Sequence, residues 1–218
     1  MRFQNVAVLT SEESWFVSYA QKLVEILREE GYQSELFHDH QDIEEAFQVI
    51  FILSYFNLIK KQFLKKHKHN LVVHESQLPQ GKGWAPLFWQ ILEGENRIPI
   101  VLFEAAEDVD AGDIYISDYI VLQGHELHDE IRDLQAQKSV ELCLEFLDNY
   151  KNLRPVRQTG KETFYARRRA KDSELDVNKS ISEQFNLLRI VSNEEFPAFF
   201  YHKGFKHILK ISKEEKCR

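Results

Sequence analysis

The sequence predicts an α/β fold: a mostly parallel sheet with helices on both faces, followed by a small α+β lobe. Three observations lead there. Short β-branched runs alternate with amphipathic stretches through residues 1–154, as strands joined by helical crossovers do. The chain has 218 residues and is 43% hydrophobic, enough to bury a full core without staples. Past Pro155 the texture turns irregular, so 155–218 is read as a separate small lobe.

The first strand is Val6 to Leu9, followed by a helix with Ser11 or Ser14 as N-cap. Phe16, Tyr19, Leu23 and Ile26 recur at helical spacing, and Gly31 ends that helix. Strands are expected over 33–37, 49–53 and 71–73, with a short polar helix over 60–66 between the last two. A Gly- and Pro-bearing loop, 75–83, leads to a helix over 84–93. A strand over 100–103 opens into the acidic turn 105–113 and returns through 114–122, and a long helix over 126–150 closes the domain. In the lobe, 156–176 reads as loop, 181–191 as helix, and the residues around Gly204 as a hairpin.

Several function classes have no support. Cys143 and Cys217 are too far apart in the chain for a disulfide framework or thiolate metal site, which suits a reducing cytoplasm. The N-terminal apolar stretch is too short for a signal peptide, and nothing approaches the roughly 20 apolar residues of a membrane span. A net charge of −7 argues against a nucleic-acid surface. The basic runs at 60–66, 167–169 and 206–213 are each read first as solvated faces. There is neither a GxGxxG nor a GxxxxGK[ST] phosphate loop. His38, His40, His67 and His69 lack further ligands at metal-site spacing and are read as surface histidines, so no metal is expected.

His74 is different. It ends an apolar strand and precedes a polar loop, and in parallel sheets such strand ends face the ligand crevice. Asp110 lies in a second loop after another strand, with Gly112 permitting a tight turn that can approach a ligand. Brought together, the two make a general-base pair, the carboxylate orienting the imidazole and stabilising its cation. Spacing alone does not bring them together, and on residue type alone a structural histidine is the commoner outcome.

The motifs around them are specific. His74-Glu75-Ser76-Gln77-Leu78-Pro79, then Gly83 and Pro86, resembles the H-x-S-L-L-P…G…P signature of 10-formyltetrahydrofolate-dependent formyltransferases. Glu107-Asp108-Val109-Asp110-Ala111-Gly112 is similar to that family's D-x-G loop, and the 36-residue interval from His74 to Asp110 matches its methionyl-tRNA branch without a gap. Arg167 to Asp176, Asn186-Leu187-Leu188-Arg189 and Pro197-Ala198-Phe199 resemble the pattern of sugar N-formyltransferases, with Ala170 in place of its proline and Ile190 in place of its alanine. Gly81 to Trp84 and Gln90 to Gly94 look closest to enzymes of pseudaminic-acid-type pathways.

The resemblance implies a Rossmann-like fold and transfer of formyl from N10-formyltetrahydrofolate, with His74 and Asp110 catalytic. The acceptor it implies is the amine of a nucleotide-linked sugar, a UDP-4-amino-4,6-dideoxy sugar in the narrowest form. Phe56, Asn57, Leu58 and Ile59, with Ala105, Ala106, Glu107 and Val109, would hold the pterin. Ser76, Lys82, Gly83 and Trp84, with Arg167, Arg168 and Arg169, would hold the sugar nucleotide. The bland readings are core packing for Phe56, Leu58 and Ile59, and helix-start packing for Trp84. A homodimer is compatible with the sequence and not specified by it.

One position departs from the family. Where the resemblance places an asparagine that stabilises the oxyanion, two residues before the histidine, this chain has Val72. Asn70 shares that strand face but lies about 13 Å from His74, too far to substitute. The alternatives are therefore another donor, such as a backbone N–H or the His74 imidazolium, or a non-catalytic folate- or sugar-binding homologue. A methionyl-tRNA formyltransferase-like activity is the rival within enzymes.

Overall fold

The computed structural model describes residues 2–214; Cys217 lies outside them. The centre is a six-stranded sheet of β1 (Asn5–Leu9), β2 (Gln33–Phe37), β3 (Val49–Ile52), β4 (His69–His74), β6 (Arg97–Glu104) and β7 (Ile114–Val121), in the order β2-β1-β3-β4-β6-β7. The first four strands are mutually parallel, whereas β6 runs antiparallel to both β4 and β7. The antiparallel turn has a length cause. Helix α3 (Pro86–Leu92) has seven residues and covers only ~10 Å, too little to carry the chain back along β4, so it re-enters from the edge it left.

Alternation along the strands separates two cores. Val6, Val8, Val49 and Phe51 pack with α1 (Val17–Glu29) and α4 (His128–Asn149) on one face. Ala7, Leu9, Ile50 and Ile52 pack with Phe63 of α2 (Lys61–Leu64) and with Ile43 on the other. The expected serine cap is not formed: the N-cap of α1 is Phe16, with no side-chain cap bond, and the Ser14 hydroxyl instead closes the preceding turn by accepting from Phe16 N (3.1 Å), while Gly31 closes the helix at φ 86. The first-face core also encloses Cys143, whose thiol burial pushes well above its ordinary range.

The helix expected over 84–93 starts late. Ala85 is left-handed (φ 46), and Trp84 N donates instead to Tyr165 O (3.1 Å). Lys82–Gly83 form β5, paired in parallel with β8 (Phe164–Tyr165), inside a stretch that reads as loop. The long helix also begins two residues late: Glu126 turns back to accept from Gln123 N (2.6 Å) and Gly124 N (3.0 Å), and Leu127 is the N-cap, its N–H donating to Glu130 (2.8 Å).

Beyond 155, a 3-10 turn (Ser182–Gln184) runs into α5 (Phe185–Ile190), and β9 (Ala198–His202) and β10 (Phe205–Leu209) form the hairpin around Gly204. Leu188, Val191 and Ala198 centre a small core of their own. The segment is nevertheless stitched to the rest. Val156 bridges Ile114, β8 pairs β5, and buried Arg189 donates to Asn96 Oδ1 (3.0 Å) and lies 3.6 Å from Glu126.

The histidines correct the surface reading. His67 is buried and bonds Phe47 O, while half-buried His69 and His40 bond Glu104 and the Tyr55 hydroxyl; of the four, His38 alone is exposed. Short polar neighbours in the sequence hid the fact that the turns around β2 and β4 fold these rings inward. No helix among the described residues is long and apolar enough to cross a membrane.

Candidate active site

His74 is the last residue of β4 and is buried at 7% exposure. Asp110 reaches it by an indirect route. Because β6 is antiparallel, its end, Glu104, stands opposite Leu71 rather than His74, about 10 Å short along the strand. The loop 105–113 must therefore double back over the sheet, and Asp110 Oδ2 comes to 4.0 Å from His74 Nε2.

Three features hold that loop. Asp110 itself is left-handed (φ 52), a conformation Asp tolerates better than most residues. Gly83 N donates to Asp110 Oδ2 (3.0 Å), and Gln158 Nε2 donates to the carbonyls of Asp110 (3.0 Å) and Gly112 (2.8 Å). Gly112 serves a different end from the ligand approach expected of it: a Cβ there would overlap the carbonyl of Glu104. Its smallness lets the two arms of the loop close against each other.

The imidazole has a defined tautomer. His74 Nε2 donates to Gly81 O at 2.9 Å, and since a carbonyl only accepts, the neutral ring carries its proton on Nε2 and its lone pair on Nδ1. The protonated edge thus lies between a carbonyl and a carboxylate.

Both residues line a cavity of about 590 Å³, within the range of small-molecule sites. It wraps over the edge of the sheet. Tyr55, Ile59, Leu64, Val72 and Ala105 belong to the core on the α2 face, and Trp15, Phe16, Phe88 and Ile190 to the core on the α4 face. On the α2 side the mouth is bare and apolar: Phe56, Leu58 and Val109 are 49%, 77% and 57% exposed. Asn57 and Ala106 line the same mouth, and Glu107 lies there paired with Lys61 (2.6 Å). An open apolar rim of this kind fits a flat heteroaromatic ring better than it fits water.

Gly83, Trp84, Arg167, Arg168 and Arg169 also line the cavity, with the Arg167 guanidinium 4.7 Å over the Trp84 ring. Two expected substrate contacts lie outside the lining. Lys82 is 3% exposed, and its Nζ is held by Glu162 (2.5 Å), because the β5–β8 pairing turns its side chain into the lobe. Ser76 is buried under the Gly81 turn, its hydroxyl without a partner. Val72 lines the cavity and offers no donor, while Asn70 is occupied, its Nδ2 bonding Leu64 O (2.9 Å).

Other lining residues fall outside every motif. His128, Arg132, Gln135 and Ser139 recur at steps of four, three and four along α4 and form a polar stripe on its inner face. That stripe was a readable signal, polar residues in the apolar register of a long helix. Burial pushes the Arg132 guanidinium down to about 10, with Glu75 and Glu195 opposing the shift and Arg168 adding to it.

Comparison with known proteins agrees with this architecture. The family model described as formyl transferase matches residues 3–147. The chain is 27% identical over 150 residues to the methionyl-tRNA formyltransferase of Clostridium acetobutylicum, covering 67% of this chain and 48% of that protein. It thus spans about half the length of the curated relatives it matches. Among solved structures, methionyl-tRNA formyltransferase from Clostridium thermocellum superposes with a TM-score of 0.79 at 21% identity, covering 97% of this chain and 94% of that one. A 4-N formyltransferase from Francisella tularensis superposes with a TM-score of 0.72 at 16% identity, covering 98% and 99%. With the family model matching well over half its length, the chain belongs to the formyl transferase family.

Proposed function

We propose that this protein transfers the formyl group of N10-formyltetrahydrofolate to the amine of a nucleotide-linked amino sugar, with His74 and Asp110 as the catalytic pair. The observation that carries this reading is the meeting of His74 and Asp110 at 4.0 Å inside one cavity that has an end on each face of the sheet. Residues 1–154 would carry the chemistry, and 155–218 would complete the acceptor side through Arg167, Arg168 and Arg169.

The bound folate supplies an activated formyl carbon; the proton work falls to the protein. His74 Nδ1 takes a proton from the attacking amine, and the resulting imidazolium is stabilised by Gly81 O and Asp110 on its other edge. The same proton is returned to the folate nitrogen as its bond to the formyl carbon breaks, so the ring ends neutral. Val72 donates nothing and Gly83 N is already bonded to Asp110, so the imidazolium would also serve as donor to the carbonyl oxygen under attack.

A similar sugar N-formyltransferase from Shewanella sp. FDAARGOS_354, matched along almost its whole length, supports a sugar acceptor. The names of the curated relatives support aminoacyl-tRNA instead. The net charge of −7 favours the sugar. A UDP-4-amino-4,6-dideoxy sugar of a pseudaminic-acid-type pathway is the narrowest form of the proposal. The test is incubation with N10-formyltetrahydrofolate and a panel of nucleotide-linked amino sugars, reading for a product heavier by one CO. Formylation of charged methionyl-tRNA with a silent sugar panel would establish the rival, and tight folate binding with no product from any acceptor would leave a binding homologue.

A further inference from the structure

The α4 end of the cavity contains two cations that the proposed proton chemistry does not use. Arg132, from α4, and Arg168, from the lobe, both line it, and each has a buried Nε with no hydrogen-bond partner. Their remaining contacts are few. Arg132 Nη1 donates to Gln135 Oε1 (2.8 Å), and Arg168 Nη2 donates to Asp172 O (3.2 Å). Neither guanidinium forms an ion pair among the described residues.

The carboxylates facing them are Glu75, Glu195 and Asp172, all at longer range. Glu75 is committed to Gln135, whose Nε2 donates to its Oε1 (2.7 Å). Meanwhile the Arg132 guanidinium is held in place by rings, lying 4.1 Å from Trp15 and 4.4 Å from Phe88. A planar donor fork, stacked and partly stripped of water, with an unpartnered Nε and a second guanidinium with an unpartnered Nε on the same cavity wall, is an arrangement suited to an oxyanion. Burying like charges together is costly unless something neutralises them.

We propose that Arg132 and Arg168 form an oxyanion subsite at the α4 end of the cavity, holding a phosphate of the amine-bearing acceptor. The assignment to acceptor rather than donor rests on the function proposed above, which puts the pterin on the opposite face of the sheet, beyond His74. It adds Arg132, which no sequence motif marks, as a specificity-determining residue.

The experiment is calorimetric titration of the full chain with inorganic pyrophosphate, supported by tryptophan fluorescence, to which Trp15, Trp84 and Trp89 contribute. One site per chain is expected, weakening as salt rises. Arg132→Gln and Arg168→Gln should each weaken it ~10-fold or more, and Arg132→Lys should recover only part, since an ammonium lacks the fork. Thermal melts confirm folding, and Arg132→Met preserves the stacked stem if the glutamine variant unfolds. Unchanged pyrophosphate affinity in the folded variants overturns the subsite. A second arm compares monoglutamyl with triglutamyl 5-formyltetrahydrofolate: if Arg132→Gln erases a preference for the longer tail and leaves pyrophosphate untouched, the cations serve the donor and the proposal fails. Pyrophosphate binding lost in the variants, together with an inactive sugar panel, would retain the subsite and reject the sugar reading alone.

Discussion

The bond from His74 to Gly81 O leaves Nδ1 as the proposed base, a role that no side chain that merely fills the space would supply. His74→Ala is expected to lower kcat by ~10²–10⁴ while the circular dichroism spectrum is retained. Asp110→Asn keeps a residue type that tolerates the left-handed backbone, so the loop should stay closed; the loss, about a hundredfold in kcat, would come from the missing charge beside the imidazolium. Comparable turnover in either variant rejects the pair. Val72 lies between Phe103 and Ile52 in the sheet, half-buried and lining the cavity, so an asparagine there would turn its amide to the cavity. Val72→Asn is therefore expected to leave the melting temperature little changed and, with the imidazolium proposed as the donor, to yield no rate gain. A rise in kcat of about a hundredfold would show instead that an oxyanion donor is missing here.

At the level of elements, the two-residue pairing of β5 with β8 does more than its length suggests, because Gly83 both pairs with Tyr165 and donates to Asp110. A Cβ on Gly83 would meet Tyr165 O at 2.5 Å, on a backbone at φ 99. Gly83→Ala should cost about 1–3 kcal/mol and lower kcat with it, since Asp110 loses an anchor. Gly31 provides the contrast. It has positive φ but open space around it, so Gly31→Ala should cost about 1 kcal/mol and leave kcat unchanged. Chemical denaturation and steady-state rates on the two variants separate strain at the site from strain elsewhere.

For the molecule as a whole, the ties between 1–154 and the lobe include one buried ion pair, Arg189 with Glu126. Burial alone pushes the Glu126 carboxyl up, yet the N–H groups of Gln123, Glu126 and Gly124, with Arg189, hold it below its ordinary 4.5. A carboxyl lowered in the fold contributes stability that is present above pH 4.5 and is lost as pH falls through the folded value. Stability should therefore drop on acidification, and Glu126→Gln should be less stable at neutral pH with a shallower acid slope. A slope identical to the unmodified protein's would remove Glu126 from that role. A chain ending at residue 154 would lose the partners of Ile114, Lys82 and Trp84 at once, and should melt lower and bind no pyrophosphate.

Most elements of the first 154 residues could be read in the chain because their signals are local: apolar periodicity and a glycine stop, whereas the expected serine cap did not form. The His74 and Asp110 motifs were legible for the same reason, each being a short run. Contacts formed across long separations were not. The reversal of β6, the folding back of the Asp110 loop, the burial of Lys82 and Ser76, and the placing of Arg132 and Arg168 on one cavity depend on how far a seven-residue helix reaches and on which face a strand turns. No window of neighbouring residues encodes those outcomes; packing of the assembled sheet against α4 and the lobe does.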